Sequence, residues 1–171
     1  MRLLLLISTI FFFLFWSSLS QANSKIVFVD LNYILTKSVN GKKILDQLNV
    51  INKNNLEILK KDNDILNKEK NEIKNLKNIL SADEYNKKKF LFEKKIKNFN
   101  DKKSKLLAEL EKTKEKELNL FFEDLNVILK KYMQENSINV ILDKKNIIMA
   151  NVEIDVSEDI LKLVNKHDQT Q

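Results

Sequence analysis

The 171-residue sequence contains no cysteine, no proline and a single glycine, Gly41. Without cysteine there can be no disulfide, no thiol nucleophile and no CxxC site. One glycine is too few for a P-loop or a dinucleotide-binding fingerprint. The only histidine, His167, lies near the C-terminus, where an undocked tail residue is the simpler interpretation than a catalytic base or ligand. We therefore predict a protein that is not an enzyme and has no catalytic residue, cofactor or metal.

The longest apolar run lies at the N-terminus. Arg2 precedes the apolar segment Leu3–Trp16, and Ser20–Ala22 places small residues at the positions that signal peptidase reads. The run is shorter than the roughly 20 apolar residues of a membrane-spanning helix. We expect residues 1–22 to be a cleaved export signal, and the alternative is an uncleaved membrane anchor.

A long-helix composition extends from Gly41 to about Glu135, with Lys, Glu, Asn, Leu and Ile dominating. Ser81–Glu84 matches a capping box. It divides the region into helices at about 41–79 and about 82–135, which would be roughly 58 and 80 Å long. A compact domain of this size has a radius of gyration of about 15 Å, so the helices must project. We predict an antiparallel hairpin with its tip near residue 81.

Apolar residues on both helices approximate the alternating four-three spacing of a coiled coil. The predicted first-helix seam is Ile44, Leu48, Ile51, Ile58, Ile65, Ile73, Leu76 and Leu80. The second-helix seam is Tyr85, Phe92, Ile96, Phe99, Leu106 and Leu110 and, after a register slip, Leu118, Phe121, Leu125, Ile128 and Tyr132. Asn55, Asp62 and Glu69, seven residues apart, interrupt the first seam. Such a seam predicts a loosely held hairpin, either an imperfect coiled coil or one selected for flexibility.

The two ends of the chain predict short strands. These are Lys25–Asp30, Ile138–Leu142 and Ile147–Ala150, the last two joined as a hairpin, with a final helix at about 157–166. Three short strands do not make an independently stable sheet, and exposed edges invite pairing. We therefore expect other subunits to complete the sheet. The predicted oligomerisation residues are Ile26, Phe28, Phe121, Leu125, Ile128, Val140 and Leu142.

The predicted fold class is mainly α with a small β part. A coiled-coil hairpin arm, residues 41–120, projects from an oligomeric β body built from residues 23–40 and 121–171. The spacing and composition do not fix the number of subunits.

The order of these segments resembles the Skp/OmpH family of periplasmic chaperones. The likeness is carried by the export signal, the strand and aspartate of Lys25–Asp30, Gly41–Lys42 before the coiled region, and Ile138–Lys144 followed by Ile154–Ser157. The resemblance implies a homotrimer whose hairpins enclose a cavity. It also implies an ATP-independent holdase that binds unfolded outer-membrane β-barrel proteins in the periplasm and prevents their aggregation. Outer-membrane insertion machinery and anionic lipid are further candidate partners, and nucleic acid is not expected.

Lysines are concentrated on one part of the predicted arm. Nine of them lie between Glu84 and Lys105 against three acidic residues. Phe90 and Leu91 lie off the seam and should be exposed, and lysine stems can cover apolar surface while their ammonium groups attract acidic segments. The candidate client-binding residues are Lys87, Lys88, Lys89, Phe90, Leu91, Lys94, Lys95, Lys97 and Lys102. The alternative is that these lysines only keep the helix in solution.

Two other functions compete with this interpretation. A structural or adaptor coiled coil would share the export signal and the helices but would bind one defined folded partner. A nucleic-acid-binding coiled coil is favoured only by the basic balance, +6 at pH 7, and export argues against it.

Overall fold

The computed structural model of the protein describes residues 24–169, so the predicted signal peptide lies outside the described residues. The helices and strands are β1 (Ile26–Val29), α1 (Leu31–Lys37), α2 (Val39–Asn75), α3 (Ala82–Glu135), β2 (Val140–Asp143) and α4 (Ser157–Asp168). Short 3₁₀ turns occupy Leu76–Asn78, Lys144–Asn146 and Val152–Ile154. The predicted class, mainly α with a small β part, is confirmed. Within the described part of the chain, no helix is both long enough and apolar enough to cross a membrane.

The two long helices pack against each other as an antiparallel hairpin. Ser81 begins α3 with the predicted capping box. Its hydroxyl accepts a hydrogen bond from the Glu84 N–H (3.4 Å), and the Glu84 carboxylate accepts one from the Ser81 N–H (3.2 Å). α2 ends before the predicted boundary because the chain tightens into the 3₁₀ turn Leu76–Asn78.

The polar residues of the α2 seam contact α3. Three contacts cross the hairpin: Asn55 Nδ2 to the Leu106 carbonyl oxygen (3.4 Å), Lys102 Nζ to Asp62 (2.6 Å) and Lys95 Nζ to Glu69 (2.8 Å). Sliding one helix by a turn would separate all three contacts. The polar seam therefore specifies the register of the hairpin, even where it weakens apolar packing.

Two predicted seam positions are displaced by one residue. Ile58 and Ile65 are 39% and 62% exposed, whereas the adjacent Leu59 and Leu66 are partly buried. An α-helix advances 3.6 residues per turn and drifts by about 20° per heptad relative to a strict seven-residue repeat. Over successive heptads the drift turns the leucines towards α3 and the isoleucines away from it.

The sheet joins the two ends of the chain. β1 and β2 are parallel, with Ile26 opposite Val140 and Val29 opposite Asp143. On the other side of β1, Phe28 forms a bridge with Asp155, and the Val156 N–H donates to the Phe28 carbonyl (3.0 Å). β1 is therefore the central strand, and the outer edge of β2 has no strand partner among residues 24–169.

The predicted strand Ile147–Ala150, and the hairpin leading to it, are wrong. After β2 the Asp143 carboxylate accepts a hydrogen bond from the Lys145 N–H (3.2 Å) and caps the 3₁₀ turn Lys144–Asn146. This turn directs the chain away from β2, and the apolar segment that follows remains irregular. Its composition suits a strand, but a strand needs a hydrogen-bonded neighbour, and the described chain supplies none there.

The core lies where the base of the hairpin meets the sheet. Val27 and Val29 share one face of β1, because alternate residues of a strand point the same way. The buried cluster consists of Val27, Val29, Ile34, Ile44, Phe121, Leu125, Ile138, Val156, Ile160 and Val164. Phe121 and Leu125, near the end of α3, are thus buried in the body.

The C-terminus of α3 bends back through a residue in the left-handed region. Ser137 has φ 51°, and the Ile138 N–H donates to the Met133 carbonyl (3.0 Å). This is a Schellman motif, in which glycine is the preferred residue at the Ser137 position.

We expect Ser137→Gly to raise the free energy of unfolding by about 1 kcal/mol, because a side chain at this φ is strained. Urea unfolding at fixed protein concentration measures the change. As the matched control, Ser104→Gly in the middle of α3 should lower the stability by roughly 0.5 kcal/mol. Equal effects of the two substitutions would contradict this account of Ser137.

Candidate functional site

The basic segment of α3, residues 84–105, carries exposed apolar side chains. Phe90 and Leu91 are 66% and 50% exposed, whereas the neighbouring Phe92 is buried. This follows from helical geometry, since Phe92 lies on the seam and the two preceding residues are rotated away from it. Two apolar side chains are therefore presented to solvent beside lysines.

Three of the candidate lysines form ion pairs within the hairpin. Lys95 and Lys102 contact Glu69 and Asp62 across it, as described above, and Lys89 lies 3.8 Å from Glu93 on the same helix. Holding the hairpin register accounts for Lys95 and Lys102 without any ligand.

The other four candidate lysines differ from these three. Lys87, Lys88, Lys94 and Lys97 are exposed. Within the described residues, none of the four forms an ion pair. Lys87, Lys88 and Lys94 each lie three or four residues from Phe90 or Leu91, so they share one surface of the helix with them. Lys97 lies three residues beyond Lys94 and extends that surface. We call Lys87, Lys88, Phe90, Leu91, Lys94 and Lys97 the basic–apolar patch.

The cap at the hairpin tip also changes the titration of a carboxyl group. The hydrogen bond from the Ser81 hydroxyl, followed by that from the Ser81 backbone, lowers the pKa of Glu84 below its ordinary 4.5. Because the folded-state pKa is depressed, the stabilisation is present above the unfolded pKa and is lost as the pH falls through the folded value.

We predict that Ser81→Ala raises the pKa of Glu84 towards its ordinary value. An NMR titration of the Glu84 carboxyl carbon measures this. In the unmodified protein, the protection of the amides at the start of α3 from exchange, relative to the intrinsic rate at each pH, should decrease as the pH falls below 4.5, because protonated Glu84 no longer caps the helix. Ser104→Ala is the control and should leave the titration unchanged. A Glu84 pKa that does not respond to Ser81→Ala would contradict the assignment.

A second candidate surface lies on the outer face of the sheet. Ile26, Val140 and Leu142 are exposed and share one face, opposite to Val27 and Val29. Beyond β2 the chain adds exposed apolar residues: Ile148, Met149 and Val152. An open groove of about 750 Å³ runs between β2 and the end of α3. We call Ile26, Val140, Leu142, Ile148, Met149 and Val152 the outer apolar face; the groove, which Val29 also lines, lies beside it on the α3 side of β2.

The predicted oligomerisation residues fall into two groups. Phe28, Phe121 and Leu125 are buried within one chain, and Ile128 packs partly buried against the core. Only Ile26, Val140 and Leu142 are available at the surface. The predicted strand Ile147–Ala150 gave no reason to expect Ile148 and Met149 at the surface, and Val152 was assigned to no element, although the apolar run Ile147–Ala150 is visible in the sequence.

Polar contacts hold the two chain ends together beside the sheet. The Asp30 N–H donates to Ser157 Oγ (2.8 Å), and Lys144 Nζ lies 3.6 Å from Asp30 and 3.8 Å from Asp155. The Tyr33 hydroxyl donates to Glu158, and this bond, with burial, raises the pKa of Tyr33. Three of these four contacts join the N-terminal segment to the C-terminal one, so the cluster holds the two chain ends together.

Within residues 24–169, no group of His, Asp or Glu side chains is arranged to hold a metal ion. The described surfaces thus offer apolar contact, positive charge and an open strand edge. These features suit the binding of polypeptide.

The architecture defines a class of protein in which a long helical hairpin is inserted between the two strands of a small parallel sheet. The chain matches the family model described as "Outer membrane protein (OmpH-like)" over residues 25–164. It therefore belongs to the OmpH-like family, and the resemblance noted in the sequence is confirmed.

Among solved structures, the chain is similar to a candidate outer membrane chaperone (OmpH-like) from Caulobacter crescentus CB15. The sequences are 18% identical, the match covers 85% of this chain and 86% of the other, and the TM-score is 0.74. At this identity the likeness shows a common fold. None of the curated proteins compared with the chain matches it.

Proposed function

We propose that this protein is an ATP-independent periplasmic holdase that binds unfolded outer-membrane β-barrel proteins and prevents their aggregation. The observation that carries the proposal is the basic–apolar patch, where Phe90 and Leu91 are exposed beside four exposed lysines. Membership of the OmpH-like family and the likeness to a candidate outer membrane chaperone support it.

The energetics of the patch suit a weak and unselective contact. Burying an exposed apolar side chain contributes about 1.5–3 kcal/mol, so Phe90 and Leu91 alone hold a client only loosely. Lysine stems extend the apolar contact, and their charges attract acidic segments from a distance. A protein that binds only the unfolded form of a client shifts its population by mass action and needs no ATP. The proposed function therefore requires no catalytic residue.

The proposed location is the periplasm. Residues 1–22 would direct export as a signal peptide and would then be cleaved. The N-terminal apolar run and the signal-peptidase pattern support export. The four lysines would also attract other acidic surfaces. Anionic lipid and the outer-membrane insertion machinery are therefore candidate secondary partners.

We predict that Phe90→Ala with Leu91→Ala weakens binding of a urea-diluted outer-membrane protein by about tenfold, because roughly 1.4 kcal/mol of apolar contact is lost. Fluorescence titration gives the dissociation constant, and light scattering gives the suppression of aggregation. The matched control is Leu56→Ala with Leu107→Ala, which removes two other exposed leucines of the hairpin. Equal losses in both variants would contradict a specific role for the patch.

Changing Lys87, Lys88, Lys94 and Lys97 to glutamine should weaken client binding at low salt and reduce its salt dependence, since exposed charges are screened as ionic strength rises. The control changes four exposed lysines of α2 to glutamine: Lys60, Lys61, Lys68 and Lys70. If both variants lose the same affinity, net charge alone attracts the client. Unchanged affinity at every salt concentration would exclude the lysines from binding.

We further propose a homotrimer assembled through the outer apolar face. The unpaired edge of β2 and the exposed Ile148 and Met149 support this proposal. The groove beside β2 and the exposed segment after β2 lie at different places on one chain. Each chain can therefore receive the segment of one neighbour in its groove and insert its own segment into the groove of another. Contacts of this head-to-tail type close into rings when the rotation permits. The family resemblance implies three subunits.

Changing Ile26, Val140 and Leu142 to threonine should convert the assembly to monomers while preserving helical content, because threonine keeps strand propensity but removes apolar contact. Sedimentation velocity and circular dichroism measure the two properties. Replacing the exposed hairpin residues Val50, Leu56 and Leu107 with glutamine is the control and should leave the assembly intact. A trimer that survives the threonine variant would refute this interface.

The alternative is an adaptor with one defined folded partner. An aggregation assay with several unrelated unfolded β-barrel proteins separates the two functions. A holdase suppresses aggregation of all of them, whereas an adaptor suppresses none.

A further inference from the structure

The joint between α1 and α2 is one residue long. Ser38 alone is extended (φ −65°, ψ 157°), and it both ends α1 and begins α2. Its side chain is fully buried and accepts a hydrogen bond from the Gly41 N–H (3.1 Å). Its own N–H donates to the Ile34 carbonyl (2.9 Å). The direction in which α2 leaves the body therefore depends on a single residue.

The C-terminal helix reaches this joint. Asn165 Oδ1 accepts a hydrogen bond from the Val39 N–H (2.9 Å), and Asp168 Oδ2 accepts one from the Asn40 N–H (3.3 Å). Val39 and Asn40 begin α2, where backbone N–H groups have no partner within the helix. A usual N-cap residue satisfies one such group. Here Ser38 accepts from the third N–H of α2, that of Gly41, and α4 supplies acceptors for the first two N–H groups.

The charge of Asp168 suits α2 and not its own helix. Asp168 is the last residue of α4, and a carboxylate at a helix C-terminus is unfavourable because that end carries partial negative charge. The start of α2 carries partial positive charge, which favours the same carboxylate. The placement is explained by the contact with α2.

Packing restrains the other side of the joint. A Cβ atom on Gly41 would lie 2.0 Å from the Leu35 carbonyl oxygen, so the first turn of α2 approaches the backbone of α1 as closely as glycine allows. α2 is thus held between the α1 backbone and the side chains of α4.

The hairpin is supported at its base by two different connections. α3 is continuous from the tip into the core, where Phe121 and Leu125 are buried. α2 is joined to the body through Ser38 and adds Ile44 to the buried core. If the first turn of α2 frays, α3 carries more of the support of the hairpin, and a single long helix bends more easily than a braced pair.

We propose that Asn165 and Asp168 are positioning residues that clasp the first turn of α2 and thereby fix the direction of the hairpin relative to the sheet. This inference does not depend on the holdase function, because its readouts are geometric.

The absence of cysteine allows two spin labels to be placed without background. Asn78→Cys at the tip and Glu153→Cys in the body are both exposed positions. Double electron–electron resonance on the full chain, diluted with unlabelled protein, measures the distribution of the distance between them. In Asn165→Ala with Asp168→Ala we expect a broader distribution. We also expect about fivefold faster hydrogen exchange at the Val39 and Asn40 amides, the factor that corresponds to losing a cap.

Two controls separate a clasp from a general loss of stability. Asn165→Asp with Asp168→Asn retains an acceptor oxygen at both positions and should restore the narrow distribution. Lys162→Ala alters an exposed position of the same helix and should change neither readout. If the double alanine variant disturbs the core, as seen in the methyl signals of Ile160 and Val164, Asp168→Ala carries the test with the same two readouts. An unchanged distance distribution and unchanged exchange in a variant with an intact core would overturn the proposal.

Discussion

The parallel pairing of β1 with β2 is the constraint on which the rest of the structure depends. The two strands come from opposite ends of the described chain, and the whole hairpin separates Ile26 from its partner Val140. Closing so long a loop costs conformational entropy, and the hairpin reduces that cost because its antiparallel helices return the chain to its starting point. Since α3 is longer than α2, the excess of α3 extends past the joint at Ser38 and enters the core. The length difference between the helices thus delivers β2 to the side of β1.

Local signals in the sequence predicted local structure well. Ser81 and Glu84 placed the tip of the hairpin, because a capping box acts within one helical turn. The β-branched run at Ile26 predicted β1. Its neighbour across the sheet was also found, but the parallel pairing was not, since pairing direction depends on how distant segments are brought together. The strand expected at Ile147–Ala150 failed for the same reason.

The cross-hairpin ion pairs were accessible to sequence reasoning but were not identified. Asp62 and Glu69 are seven residues apart, and so are Lys95 and Lys102. In an antiparallel pair of helices, two equal spacings of opposite charge align in one register. Using this match would have assigned Lys95 and Lys102 to the seam. By contrast, the contacts of Asn165 and Asp168 with α2 join residues more than a hundred positions apart, and no spacing in the sequence points to them.

Met149 is 90% exposed at the surface of the single chain. A thioether in this position is open to oxidants, and its conversion to the sulfoxide replaces a flexible apolar side chain with a polar one. Any surface that covers Met149 also shields its sulfur chemically. If the proposed assembly covers Met149, the sulfoxide content after treatment with peroxide, measured from the mass of the chain, distinguishes assembled subunits from single ones.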